Sequence, residues 1–318
     1  MTIDHFAAND RQDRIVALLA KLAPAEGYTQ SPLPDVRFLR SDRPLSRVPV
    51  LYDPGIVIVC QGRKRGYLGD RIYCYDARHY LAVAVPVPFT METDASAQEP
   101  LLAIYMHLNF TVAADLMLQI DQLKTDAGPP AKPESLMSTP MDGKLRDAVL
   151  RLLEAMDDRI EAEILGPALM REIYFRVLSG PQGGALRSAL AMRGQFGKIA
   201  RAIRRIHATF NRQLTVEQLA NEAGMSVPGF FSHFRAVTHT SPKQYQKSLR
   251  LHQARLLMVR NNMTAAAACV EVGYESASQF SREFKRLFGL SPVDEVRRMK
   301  THFAVPPAQP AGLYISSH

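Results

Sequence analysis

Residues 215–242, TVEQLANEAGMSVPGFFSHFRAVTHTSP, and residues 264–292, TAAAACVEVGYESASQFSREFKRLFGLSP, decide the fold of the C-terminal half. They match at an offset of 49 at Thr215/Thr264, Glu222/Glu271 and Gly224/Gly273. The offset is 50 at Phe230/Phe280, Phe234/Phe284 and Ser241-Pro242/Ser291-Pro292. The extra residue falls where Gly224-Met225-Ser226 becomes Gly273-Tyr274-Glu275-Ser276, a turn, where an insertion costs least. One register held over so many positions marks a duplicated structural unit.

Each unit reads as helix, tight turn, helix. Thr215 caps the first helix, with Gln218 completing a capping box, and Gly224 ends it. Ser226 caps the second helix, whose inner face carries Phe230 and Phe234 at i, i+4. In the second unit Gly273 is the stop, Ser276 with Gln279 the capping box, and Phe280, Phe284 and Phe288 the inner stripe. Each Ser-Pro opens a further helix, with proline at the favoured first position. Two short helices joined by a glycine turn make a helix-turn-helix, whose second helix enters the DNA major groove. The connecting helix, Ser241 to about Val259, is about 27 Å long. That is close to the ~34 Å between successive major-groove faces. One chain would then read two adjacent groove segments.

The charge agrees. Net charge is +8 over 318 residues. Residues 1–190 carry 21 Lys and Arg against 24 Asp and Glu, whereas residues 191–318 carry 18 against 7. Only the second half is suited to a polyanion, and nucleic acid is the leading candidate.

Residues 35–110 have another character. Short runs rich in Val, Ile and Tyr (55–59, 71–75, 80–85, 101–106) are broken by Pro, Gly and Asp. Close-spaced strands of this kind predict a sandwich or barrel. Gly69-Asp70 reads as a hairpin turn. A short amphipathic helix is expected at 9–22, a loop at 124–140, and helices at about 142–156 and 159–178. The stripe Leu145, Val149, Leu152, Met156 is apolar at helical spacing, suited to packing on the barrel or pairing with a second subunit. Ser179 to Gly184 reads as a hinge.

The fold class is therefore α+β: an N-terminal β-barrel with flanking helices, and an all-α domain of two helix-turn-helix units joined by a long helix. The expected boundaries are 1–180 for the sensing and dimerising domain, 181–194 for a linker, 195–300 for the DNA-binding domain and 301–318 for a loose tail.

No apolar run is long enough for a membrane helix, no signal peptide is legible, and three cysteines make no disulfide framework. A cytoplasmic, non-membrane protein is expected. His79 and His107 are the only histidines between residues 31 and 140 and form no HxH pair, so neither a metal nor a cofactor is expected, and the chain reads as no enzyme, with no catalytic residues. Cys269 stands where the first unit has Ala220 and reads as packing. Cys60 and Cys74 leave a redox or electrophile response open. Tyr52, Tyr67, Tyr73, Tyr75 and Tyr80 are the candidate effector-binding residues. Arg63-Lys64-Arg65 reads as a solvated hairpin turn, with an anion-binding patch as its alternative.

The pattern Tyr245…Arg250-Leu251…Ala254…Leu257, then Val272-Gly273-Tyr274-Glu275-Ser276…Gln279-Phe280-Ser281-Arg282…Phe284-Lys285…Phe288-Gly289…Ser291-Pro292, resembles the DNA-binding domain of AraC/XylS-family transcription regulators. Leu33-Pro34-Asp35-Val36-Arg37 and Val59-Cys60-Gln61-Gly62-Arg63-Lys64 resemble the N-terminal sensor region of one AraC-type subfamily. The resemblance implies a cupin-like barrel that binds a small-molecule effector, a homodimer, promoter DNA and RNA polymerase as partners, and activation as the commoner outcome. It places base contacts at Val227, Pro228, Phe231 and Ser232 in the first unit, and at Ala277, Ser278, Gln279 and Arg282 in the second. Pro228 and Phe231 donate no side-chain hydrogen bond, so the first unit would read thymine methyls or DNA shape. Arg282 suits guanine and Gln279 adenine. Arg235, Lys243, Arg250, Lys285 and Arg286 are expected on phosphates. The rival reading is a non-specific architectural DNA binder.

Overall fold

The computed structural model describes residues 2–123 and 131–302, with side chains given from Asp10 to Thr301. Helix α1 (Thr2–Leu22) leads into strands β1 (Gly27–Gln30), β2 (Val36–Ser41), β3 (Leu45–Leu51), β4 (Gly55–Gln61), β5 (Arg63–Leu68), β6 (Arg71–Asp76), β7 (His79–Val83), β8 (Pro88–Asp94) and β9 (Leu101–His107). Helix α2 (Phe110–Leu123), strand β10 (Leu136–Pro140), and helices α3 (Gly143–Met156), α4 (Arg159–Ser179) and α5 (Gly183–Leu190) complete the first half.

The strands form one antiparallel sheet in the order β1-β2-β9-β4-β7-β6-β5-β8-β3, with β10 also on β7. It curls into a half-barrel with β1 and β3 as its edges. Strands β4 and β9 are buried along nearly their whole length because α1 packs across their outer side. The Gly69-Asp70 turn forms as expected: Leu68 pairs with Arg71, and Gly69 takes φ +61°.

Three local expectations need correction. Residues 136–140 are not loop, because Leu136–Pro140 pairs with β7 (residues 124–130 lie outside the described residues). The stripe Leu145, Val149, Leu152, Met156 offers no dimer surface, being buried within the chain where α3 packs on α1 and α4. The glycines at 183–184 open a helix instead of loosening a hinge. A Cβ on Gly183 would lie 2.2 Å from the Leu178 carbonyl oxygen, so glycine there permits a close approach.

The second half is helical: α6 (Gly194–Ala208), α7 (Val216–Glu222), α8 (Val227–Thr238), α9 (Pro242–Arg260), α10 (Ala265–Glu271), α11 (Ala277–Phe288) and α12 (Pro292–His302). The tail expected to be loose lies outside the described residues from 303 onward. The hydrophobic interior divides within α9. One core runs from Ile15 through the sheet to Phe230, Phe234 and Leu249. A second holds Leu251, Ala254, Phe280, Phe284 and Phe288. The first helix-turn-helix is thus packed into the sheet domain. Ser135 Oγ donates to the Val237 carbonyl at 2.6 Å, and Tyr245 Oη to the Pro86 carbonyl at 3.0 Å.

Candidate nucleic-acid interface and ligand cavity

The two units repeat in detail. In the first, Thr215 Oγ1 accepts from the Gln218 amide at 3.2 Å and Gln218 Oε1 from the Thr215 amide at 3.0 Å, the full capping box. Ser226 caps α8 by accepting from the Gly229 amide. In the second, Ser276 accepts from the Gln279 amide, but the Gln279 side chain turns to Glu283 at 3.4 Å, so only half of the expected box forms. Gly273 has φ +79°, and a Cβ there would meet the Asn211 carbonyl oxygen at 2.1 Å. The turn therefore requires glycine for both conformation and space.

Burying Phe230 and Phe234 turns the opposite face of α8 outward. Val227 is 38% and Phe231 42% exposed, and Pro228 and Ser232 lie beside them in solvent. On α11 the buried Phe280, Phe284 and Phe288 leave Ala277, Ser278, Gln279 and Arg282 exposed. The two faces differ chemically: the first is apolar, the second polar and cationic. Connecting them, α9 has 19 residues, about 28 Å.

Among the described residues, Arg235, Lys243, Arg282 and Lys285 are exposed and have no ion pair. Arg286 is exposed, with only Glu283 at 4.0 Å. Arg250 is different. Its Nε donates to the Phe210 carbonyl at 2.7 Å, Nη1 to that of Gly273 at 3.1 Å, and Nη2 to that of Arg212 at 2.9 Å. The expected phosphate contact is thus a clamp tying the chain after α6 to the turn of the second unit. Partial burial lowers its pKa. Sequence reading also passed over Glu283, which receives Tyr274 Oη at 2.8 Å and Lys247 Nζ at 3.1 Å and so fixes α11 against α9.

The five tyrosines do not all line one cavity. Tyr75 and Tyr80 are core residues. Tyr67 is half-buried, donates to Glu92 at 2.5 Å and lies under the Arg47 guanidinium at 4.0 Å, while Tyr73 is half-buried on β6. Of the five, only Tyr52 reaches a cavity of about 370 Å³ between the sheet and the helices α9 and α12. Tyr28 and Lys64, not expected there, line it too. Arg63-Lys64-Arg65 is strand, not a solvated turn. Alternation sends Arg63 outward and pairs Arg65 with Glu92 and Asp94, while Lys64 points inward and is 1% exposed. Burial pushes the Lys64 pKa down to about 7.

Among the described residues, no group of three His, Cys, Asp or Glu side chains could hold a metal ion. His79 bonds Asp76 at 3.0 Å. His107 accepts from Arg37, and burial beside that guanidinium pushes its pKa down to about 3, leaving it neutral. Cys60 is buried, and burial pushes its pKa up to about 12, which keeps it a protonated thiol. Cys269 is buried as expected, and Cys74 is the exposed cysteine. No helix among the described residues is long and apolar enough to cross a membrane.

Residues 32–185 match the AraC-type transcriptional regulator N-terminus, and residues 219–308 a helix-turn-helix domain. The chain is 34% identical over 95 residues to the HTH-type transcriptional regulator AlkR of Acinetobacter baylyi, a match covering 30% of this chain and 31% of that protein. It is 36% identical over 86 residues to the RCS-specific HTH-type transcriptional activator RclR of Escherichia coli, covering 27% and 30%. The matches thus span about a third of each relative's length. The fold is similar to that of ToxT from Vibrio cholerae, solved with an unsaturated fatty acid bound. The TM-score is 0.58 at 12% identity, covering 89% of this chain and 100% of that one.

Proposed function

This chain belongs to the AraC-type transcriptional regulators, and on that premise we propose that it binds promoter DNA in two adjacent major-groove segments under the control of a small molecule. One observation carries the reading. The duplicated helix-turn-helix presents two outward helix faces, α8 and α11, joined by the helix α9 and flanked by Arg235, Lys243, Arg282 and Lys285, which have no carboxylate partner among the described residues. Val227, Pro228, Phe231 and Ser232 read methyl groups or shape. Ser278, Gln279 and Arg282 read base edges, and Arg235, Lys243, Lys285 and Arg286 hold phosphates.

The proposed domain division is a sensing domain over 1–180, a linker over 181–194, here largely helix α5, and a DNA-binding domain over 195–300. The proposed setting is the cytoplasm, with RNA polymerase as partner and activation as outcome. A homodimer would use Ile160, Ile164 and Phe175, which α4 leaves exposed. Effector control is supported by the cavity between the two halves, which of the five candidate tyrosines only Tyr52 lines.

Arg282→Ala is expected to cost about 1–3 kcal/mol on the cognate site and to relax one base position, whereas Lys243→Ala weakens all DNA alike and lowers the salt slope by about one. Titrations on cognate and random duplexes at several salt concentrations check both. An equal loss on random DNA would show Arg282 to touch only phosphate, and a sequence-dependent loss would remove Lys243 from the phosphate set.

A further inference from the structure

We propose that Glu283 is a positioning residue for base recognition: it holds the Gln279 amide so that Oε1 and one N–H face the groove as an acceptor–donor pair matched to adenine. This rests on the reading of α11 as a base-reading helix, and it names the side chain that fixes which base Gln279 selects.

Glu283 lies one turn beyond Gln279 on α11, and its side chain is 11% exposed. It gathers donors from the preceding turn, from α9 and from α11 itself: Tyr274 Oη at 2.8 Å, Lys247 Nζ at 3.1 Å and Gln279 Nε2 at 3.4 Å. Burial would raise its pKa, but these three donors outweigh it and hold the pKa below the ordinary glutamate value, so the group is a carboxylate at neutral pH. Ionised, Glu283 only accepts. It therefore takes the NH2 end of Gln279, since the reversed amide would set Oε1 against the carboxylate. One Nε2 hydrogen is used in this way. The other hydrogen and Oε1 remain, and that pair fits N7 and the N6 amino group of adenine in the major groove. A glutamine loose at the surface would present either end and lose more rotamer freedom on binding. The i, i+4 bond fixes the end and removes much of that freedom beforehand.

The duplicated unit shows what this network is not for. At the aligned positions the first unit has Met225 for Tyr274, Gly229 for Gln279 and His233 for Glu283. Yet α8 has the same serine cap, the same buried phenylalanine pair and the same 12 residues as α11. The helix-turn-helix frame therefore forms without these groups. What the second unit adds is an oriented polar group on its outward face, tied through Glu283 to the helix that joins the two units.

The test is fluorescence-anisotropy titration of the full chain on duplexes that the wild type recovers from a random-sequence pool, with all four base pairs placed in turn at each position. The wild type is expected to prefer adenine by at least ~10-fold at one position, a preference that Gln279→Ala removes. Glu283→Gln, whose carboxamide accepts either end of Gln279, should shrink that preference to within ~3-fold and leave the position read by Arg282 unchanged. In the Gln279→Ala background it should add nothing further. Tyr274→Phe, which takes a different donor from Glu283, should lower the melting temperature and keep the preference. Ratios of affinity between duplexes depend neither on the fraction folded nor on the charge that Glu283→Gln removes, so a destabilised variant still gives a reading. An adenine preference that survives Glu283→Gln, or one lost equally with Tyr274→Phe, overturns the proposal. Base preferences that Gln279→Ala leaves untouched sink this inference alone. Equal binding of all duplexes sinks the reading of α11, and the proposal with it.

Discussion

Arg250→Met is expected to destabilise the chain by about 3 kcal/mol or more in urea unfolding. The guanidinium donates to the carbonyls of Phe210, Gly273 and Arg212, two of which belong to the segment after α6 and one to the turn between α10 and α11. Hydrogen bonds to a charged donor contribute about 1.5–3 kcal/mol each, and water recovers part of the loss at the exposed Arg212 carbonyl. Methionine keeps the aliphatic stem and removes only the donors. Lys243→Met, at an exposed site in the first turn of the same helix, should change stability by less than about 0.5 kcal/mol. If Arg250→Met instead weakened DNA binding at unchanged stability, the residue would be a phosphate contact after all.

Glu295→Gln is expected to cost about 3–5 kcal/mol, the usual penalty for leaving a buried charge without its partner. Glu295 is fully buried between Arg255 and Arg298, and Arg255 is itself buried with its guanidinium 4.4 Å above the Phe288 ring. His252 cannot share the load as a cation, because burial beside Arg255 drives its pKa well below the ordinary value. The double replacement Arg255→Met/Glu295→Met should recover most of the loss, since apolar residues of similar size replace a buried pair at little net cost. Chemical denaturation of the three proteins measures this. A single variant as stable as wild type, or a double variant no better than the single, would show that the pair is not an energetic unit.

The repeat was legible because it is local. Thr215, Ser226, Ser241 and their counterparts cap helices through bonds within three residues, and Gly224 and Gly273 stop them through their own φ. The outward faces of α8 and α11 follow once Phe230 and Phe280 are placed inside. Long-range contacts were not legible. Arg250 looks like any exposed helix arginine until the folded chain brings three carbonyls to it. Lys64 between two arginines reads as solvent-facing, and only its register in β5, opposite Thr93 of β8, turns it inward. Composition alone groups the tyrosines, whereas strand alternation and neighbouring elements place Tyr75 in the core and leave Tyr67 half-buried. The Leu145 stripe gave the helix correctly but could not name its partner, which is α1 together with α4.

Two unlike helix faces on one chain, α8 and α11, should read two neighbouring groove segments. Hydroxyl-radical footprinting of the full chain on genomic fragments, at moderate salt, tests it most directly. Discrete sites are expected, each with two protected boxes on one face of the duplex, about 10 base pairs apart centre to centre. Arg282→Ala should loosen only the box read by α11. Uniform protection that shows no boxes and collapses as salt rises would contradict the claim and leave a non-specific, architectural DNA binder.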